Sequence, residues 1–345
     1  MKNNFLKYCF LLLIISSLAA CQVPPSTDTE VDTPPSTVVP DMPVINEINA
    51  GALQIILSET ISTGAINLTW TANGEAFWAE DLYTALLHDS ETIAEIGRFV
   101  PGIDSAILDT SPDGRTIAYL LETDDIRLYD LETESDTVVI STGFPYSSAF
   151  FSPYGNTLAV ASLMDIKVVF YDAKNGQETG SVSGFSTAAP VYSATYGPDG
   201  STLLWFSRGT VQPMDIASQE MGPILSHEDF VTAQEISPDG KVIATTAAGM
   251  IEDEYLPLLT LWNADNGNAL AQIALPTYYT AISFSPDSKL IATGSENEII
   301  IYTSPYGTEV GRYAISEATT DIEFSPDGTI LAVVSESGLL QFFSP

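Results

Sequence analysis

Cysteine is almost absent from this chain: only Cys9 and Cys21 occur, both near the start. Histidine is as scarce, with His88 and His227 alone. A metal centre built from His or Cys ligands is therefore excluded from the body. So is a disulfide framework, and the core must hold unaided. A body of nearly three hundred residues can bury enough apolar surface to do so. Positive charge is the third scarcity. Eleven Lys and Arg face 45 Asp and Glu, for a net charge of −34. Such a surface repels nucleic acid and anionic lipid headgroups. The only arginines are Arg98, Arg115, Arg127, Arg208 and Arg312, too dispersed for a carboxylate-binding arginine cluster. No stretch of the body carries a sustained helical stripe.

What is present begins with a leader. Lys2 and Lys7 precede the apolar run Phe10 to Ile15, and small residues follow. That order is the layout of a secretory signal, and the run is too short to span a bilayer as a helix. Its end, Leu18-Ala19-Ala20-Cys21, resembles the lipobox of bacterial lipoproteins. The resemblance implies cleavage before Cys21 and lipidation of its thiol. An ordinary signal peptide ending near a cysteine is the alternative. Residues 21–50 read as a tether: Pro24-Pro25-Ser26-Thr27 is echoed by Pro34-Pro35-Ser36-Thr37, with neither strand nor helix period. Such a segment would span about 30 Å on average and about 100 Å at full stretch. The expectation is a leader over 1–20, a tether over 21–50 and a folded body over 51–345.

The body is repetitive. Ser111-Pro112-Asp113-Gly114 returns as Ser152-Pro153-Tyr154-Gly155, Gly197-Pro198-Asp199-Gly200, Ser237-Pro238-Asp239-Gly240, Ser285-Pro286-Asp287-Ser288 and Ser325-Pro326-Asp327-Gly328. Thr71-Ala72-Asn73-Gly74 is a worn first copy. The successive intervals are 40, 41, 45, 40, 48 and 40 residues. Proline presets φ at the second turn position, and Asp bonds its own backbone. One period holds four short strands: Thr280 to Phe284, Leu290 to Thr293, Ile299 to Tyr302 and Glu309 to Tyr313. A lone four-stranded sheet cannot cover both apolar faces, but seven arranged radially can.

These repeats resemble the WD-repeat β-propeller family. Third strands end in Leu128-Tyr129-Asp130, Phe170-Tyr171-Asp172, Leu261-Trp262-Asn263 and Ile301-Tyr302-Thr303. Leu225-Ser226-His227-Glu228-Asp229 resembles the family's Gly-His segment. The resemblance covers Ala52 to Pro345 and implies an all-β, seven-bladed β-propeller of four-stranded antiparallel blades. It further implies a structural relay in which His227 bonds Thr245 and, through it, Trp262. His88 falls in the slot of Trp262 and Tyr302, which suits packing. The last copy stops after its third strand, while Leu53 to Leu57 is a strand to spare. The N-terminal strand is therefore expected to complete the last blade and close the ring, removing a bare edge.

The chemistry expected is binding. No serine has a free histidine partner, and no cofactor-ligand motif appears, so the expectation is a non-enzyme without cofactor or metal. Glu252-Asp253-Glu254 and Asp124-Asp125 lack the calcium-loop ladder and read as solvated acidic loops. In propellers of this family one face carries the loop entering each blade. Pro145, Tyr146, Pro190, Tyr192, Phe230, Tyr278 and Tyr279 fall there, with the insertion Ala248 to Leu256 on the same face. Aromatics amid acidic surroundings suit a recognition patch. The expected function is a protein-binding scaffold, monomeric, lipid-anchored on the extracytoplasmic side of a bacterial envelope. The alternatives are an enzyme or ligand binder using the central channel, with sugar or a metal ion, and an envelope assembly factor.

Overall fold

The computed structural model describes residues 42–61, 67–81, 83–102, 105–121, 125–162, 167–183, 193–207, 209–251, 254–277 and 281–345, without the side chains of 147 and 193. Twenty-eight strands form seven antiparallel four-stranded sheets, and no helix occurs among the described residues. Blades one to six span residues 67–99, 106–141, 146–183, 193–226, 231–274 and 281–314. Blade seven takes three strands from residues 319–344. Its fourth is Gln54–Thr60, paired antiparallel with Leu339–Ser344. The protein is a seven-bladed β-propeller, and the first strand closes it.

Burial within a blade follows its radial position. Second strands such as Ala76–Glu80, Leu290–Gly294 and Leu331–Ser335 are buried at every residue. Both of their faces lie against neighbouring blades, so they carry unbroken apolar runs rather than alternation. Outer strands such as Glu178–Ser183 and Glu309–Ala314 are largely exposed and polar. The hydrophobic clusters accordingly lie between blades. Val242, Leu259 and Leu261 of blade five meet Ile282, Phe284 and Ile300 of blade six. At the closing seam Phe342 of blade seven stands 5.9 Å from Trp70 and 5.7 Å from Phe77 of blade one. Phe342 is fully buried, which contributes about 1.5–3 kcal/mol.

The repeated turn is doubly bonded. In Ser325-Pro326-Asp327-Gly328 the Asp327 carboxylate accepts the Ser325 hydroxyl at 2.6 Å and the Thr329 N–H at 3.0 Å. Ser325 Oγ accepts the Ile330 N–H at 3.0 Å, and Gly328 takes φ 72°. Successive turns touch. A Cβ on Gly155 would lie 3.6 Å from the Pro112 ring, one on Gly200 3.5 Å from Pro153, and one on Gly328 3.5 Å from Pro286. One on Gly74 would lie 3.7 Å from Pro326, which joins the first turn to the last.

Two expectations change in detail. Ala248 to Leu256 does not leave the sheet as a loop. Strands Val242–Ile251 and Glu254–Asn263 stay paired out to Ile251 and Glu254, so the extra residues lengthen a hairpin. Within the segment composed like a tether, Ile45 and Ala50 are buried in the core between blades six and seven. The Ile45 N–H donates to the Gly328 carbonyl at 2.8 Å. The packed body therefore reaches back to Ile45, which lies in a short apolar stretch without strand period.

Candidate binding face and central channel

The lengthened hairpin of blade five organises one corner of the entry face. Its cross-strand pair Met250 and Tyr255 is 48% and 50% exposed, and the entry-loop residue Phe230 is 44% exposed. The Tyr255 hydroxyl donates to Asp229 Oδ2 at 2.7 Å, tying hairpin to entry loop. The Phe230 N–H donates to Asp229 Oδ1 at 2.7 Å. Three large side chains are thus partly exposed here, one of them bonded to the Asp229 carboxylate, with Glu228 and Glu254 beside them in sequence. Met250 and Tyr255 were legible only as members of an insertion.

The other proposed contact residues divide. Pro145 is exposed. Tyr146 is half-buried against the core between blades two and three, beside Phe144. Lys167 Nζ stands 4.5 Å above the Phe144 ring. Pro190, Tyr192, Tyr278 and Tyr279 lie outside the described residues, as do Cys21, the leader, the start of the tether, Asp124, Glu252 and Asp253.

Towards the other end of the same hairpin, Trp262 Nε1 donates to Thr245 Oγ1 at 2.8 Å. His227 does not bond Thr245. Its ring meets Trp262 edge-to-face at 5.3 Å and 87°. Burial pushes the His227 pKa down to about 4, so the ring is neutral at ordinary pH and packs as an aromatic. His88 stacks on Phe77 at 5.4 Å, and its Nδ1 is 2.9 Å from the Ile93 carbonyl. Burial lowers its pKa also. Both histidines serve packing in these positions.

The central channel holds carboxylates that repeat counting did not single out. Glu235, Asp321 and Glu323 line a cavity of about 440 Å³ with Thr195, Tyr196 and Gln234. Asp109 lies in the inner strand of blade two, and Glu80 ends the second strand of blade one. Burial is the first cause that pushes Glu80 up to about 8 and Asp109 to about 7. Asp109 and Asp321 add like-charge repulsion at Glu80. Glu235, Asp321 and Glu323 are all raised as well, again by burial first. Among the described residues no three His, Cys, Asp or Glu side chains converge in metal-binding geometry.

Fold and repeat define a seven-bladed β-propeller. Residues 276–303, which contain the first three strands of blade six, match the family model described as WD domain, G-beta repeat. The chain is similar in structure to the β-propeller domain of Cps50 (Swd1) from Myceliophteria thermophila. The TM-score is 0.67 at 14% identity, covering 85% of this chain and 99% of that one. It is also similar to Kuenenia stuttgartiensis hydrazine synthase, with TM-score 0.66 and 18% identity over 82% of this chain and 96% of that one. No curated protein sequence matches the chain. At these identities the likeness establishes the fold and leaves function to the site.

Proposed function

We propose that this chain is an exported, lipid-anchored propeller that binds a protein partner through the entry face of blade five. The carrying observation is the exposed set Phe230, Met250 and Tyr255, with the Tyr255 hydroxyl bonded to Asp229. Aromatic and Met side chains around a charged group are the composition of interaction hot spots. Partner chemistry follows from charge. The four described arginines are already paired: Arg98 with Glu95, Arg115 with Asp130, Arg127 with Asp136, and Arg312 with Glu298. The acidic excess is thus left to solvent and partners. A segment presenting Lys or Arg beside apolar side chains complements it.

In this reading Cys21 fixes the chain to the envelope and the tether holds the propeller off the bilayer. The binding role needs no catalytic group, cofactor or metal, and the propeller acts as a monomer. Mass spectrometry of the mature N-terminus tests the anchor: an acylated Cys21 is expected, and an unmodified or later start refutes it. Cross-linking pull-down from the envelope tests the face. Phe230→Ala and Tyr255→Ala should lose the partner that wild type recovers, and recovery should fall as salt rises. Equal recovery removes the face.

The channel cavity supports a second reading, a small-ligand site at the axis, because convergent polar groups are what such a site needs. Retention of a ligand through purification, lost in Gln234→Ala, is its test. An envelope-assembly role would use the same protein-binding face, and the partner's identity in the pull-down decides it.

A further inference from the structure

The inner strands face a problem of their own. Each is the edge strand of its blade, so alternate N–H groups point away from the sheet and need acceptors elsewhere. The structure meets this with side chains from the preceding blade. Glu235 of blade five accepts the Phe284 N–H of blade six at 3.0 Å. Ser283 of blade six accepts the Phe324 N–H of blade seven at 3.1 Å and donates to Glu323 at 3.2 Å. Asp321 of blade seven accepts the Leu68 N–H of blade one at 2.8 Å. Asp109 does the same for Phe151 between blades two and three. Asp109, Glu235, Ser283 and Glu323 all stand three residues before their turn proline.

We propose that Glu235, Asp321 and Glu323 form a pH-responsive clasp across blades five, six, seven and one, with Glu323 the member whose surroundings favour its charge least. The three line one cavity and come from only two strands, so their charges meet. Among the described residues no basic side chain offsets them. Blade six contributes Ser283, which does not titrate here. The inner strand of blade one, Asn67–Trp70, has no titratable group. Blade four contributes Tyr196, whose phenol burial keeps neutral. Of the nearby acids, Glu80 also feels Asp321. Among the described residues no Lys, Arg or His acts on any of the three.

The hydrogen bonds decide which acid keeps the proton. Asp321 accepts two backbone N–H groups, from Leu68 and at 2.9 Å from Ile322. Glu235 accepts one. Glu323 accepts only the Ser283 hydroxyl, and both other carboxylates repel its charge. Backbone N–H bonds favour the ionised form, so Glu323 is the acid and the other two are the acceptors. The sign follows. The folded state holds this proton at pH values where an unfolded Glu has released it, so the clasp is secure at lower pH and weakens as pH rises. Three like charges then push apart the strands that carry the seams five–six, six–seven and seven–one.

The test uses the full folded chain. Calorimetry in two buffers of different ionisation enthalpy counts the protons released on unfolding at neutral pH. Wild type should release about one more than Glu323→Gln. In difference infrared spectra, wild type minus Glu323→Gln should show a protonated carboxyl band at neutral pH that disappears in alkali. Should that variant not fold, the wild-type chain carries the test alone: amide protection factors at Leu68, Phe284 and Phe324 should fall from pH 6 to 9 relative to those of the second strand of blade three, Thr157–Ser162. Equal proton release in the two proteins, a missing band, or uniform protection across blades overturns the proposal.

Discussion

The Tyr313 hydroxyl donates to the carbonyl of Ala50 and accepts the N–H of Leu53 at 2.9 Å. One phenol of blade six thus grips the chain on both sides of Gly51, just before the closing strand. The fit is close. A Cβ on Gly311 would fall 2.2 Å from the Ala50 carbonyl oxygen, and one on Gly51 2.7 Å from that of Val310. Tyr313→Phe removes the hydroxyl and leaves a donor and an acceptor to find water. The expected loss is about 1–3 kcal/mol. Gly311→Ala should cost more, because backbone must move. Deleting Gln54–Thr60 should lower the melting temperature furthest, since blade seven then loses its outer strand. Thermal unfolding of the three variants checks the order, and an unchanged melt for the deletion contradicts closure.

The turns make a second prediction. Gly114 and Gly240 hold the same turn position at φ 73° and 72°. A Cβ on Gly114 would meet Thr71 Cγ2 of the neighbouring turn at 2.9 Å, whereas one on Gly240 has nothing within 4 Å. Both alanine variants bear the left-handed penalty of about 1–2 kcal/mol. Gly114→Ala should bear a further loss from the crowded seam. Denaturant unfolding of the pair, with equal m-values, separates backbone strain from contact between blades. Equal losses would mean that the turns do not press on one another.

The parts legible in sequence are those a single repeat specifies by itself. Pro112 and its equivalents announce a turn because φ and a local Asp bond are properties of four residues. The closing strand was legible because the last copy ends at Phe343 without a fourth strand. The channel clasps were not, because their carboxylates bond groups on another blade, far away in sequence. Glu235 and Glu323 are two among 45 acids, and only their shared place three residues before the turn proline could have marked them. Tyr146 shows the opposite error. Its place in the repeat suited an entry loop, but the core between blades two and three takes up much of the ring. His227 was recognised by position, yet it meets Trp262 through its ring rather than through a hydrogen bond to Thr245.

Glu80 gives a second pH prediction, coupled to the channel clasp only through the weak repulsion from Asp321. Its carboxyl is buried in blade one and accepts the Thr110 hydroxyl of blade two at 2.6 Å. Burial, then Asp109, pushes it up to about 8. In the unfolded chain it ionises near its ordinary value of 4.5. Between those values the folded state binds the extra proton. Stability from this group is complete below about 4.5 and is lost as pH rises towards 8. The slope is at most about 1.4 kcal/mol per pH unit. Glu80→Gln retains an acceptor for Thr110 and has nothing to ionise. Its unfolding free energy should fall less steeply from pH 5 to 8 than that of wild type. Parallel curves would show that Glu80 is charged in the fold.

Binding and folding should separate at blade five. Phe230 and Met250 stand in solvent, so Phe230→Ala and Met250→Ala should change stability by no more than about 0.5 kcal/mol. Trp262 lies towards the other end of that hairpin, bonded to the fully buried Thr245 and packed on His227. Trp262→Ala opens a cavity and strands a buried hydroxyl, for a loss of about 3 kcal/mol or more. In a domain of this size each kcal/mol shifts the melt by about 2–4 °C. The first two variants should therefore melt with wild type while losing the partner, and the third should melt well below it. A Phe230→Ala protein as unstable as Trp262→Ala would make Phe230 part of the core and leave the face without its anchor.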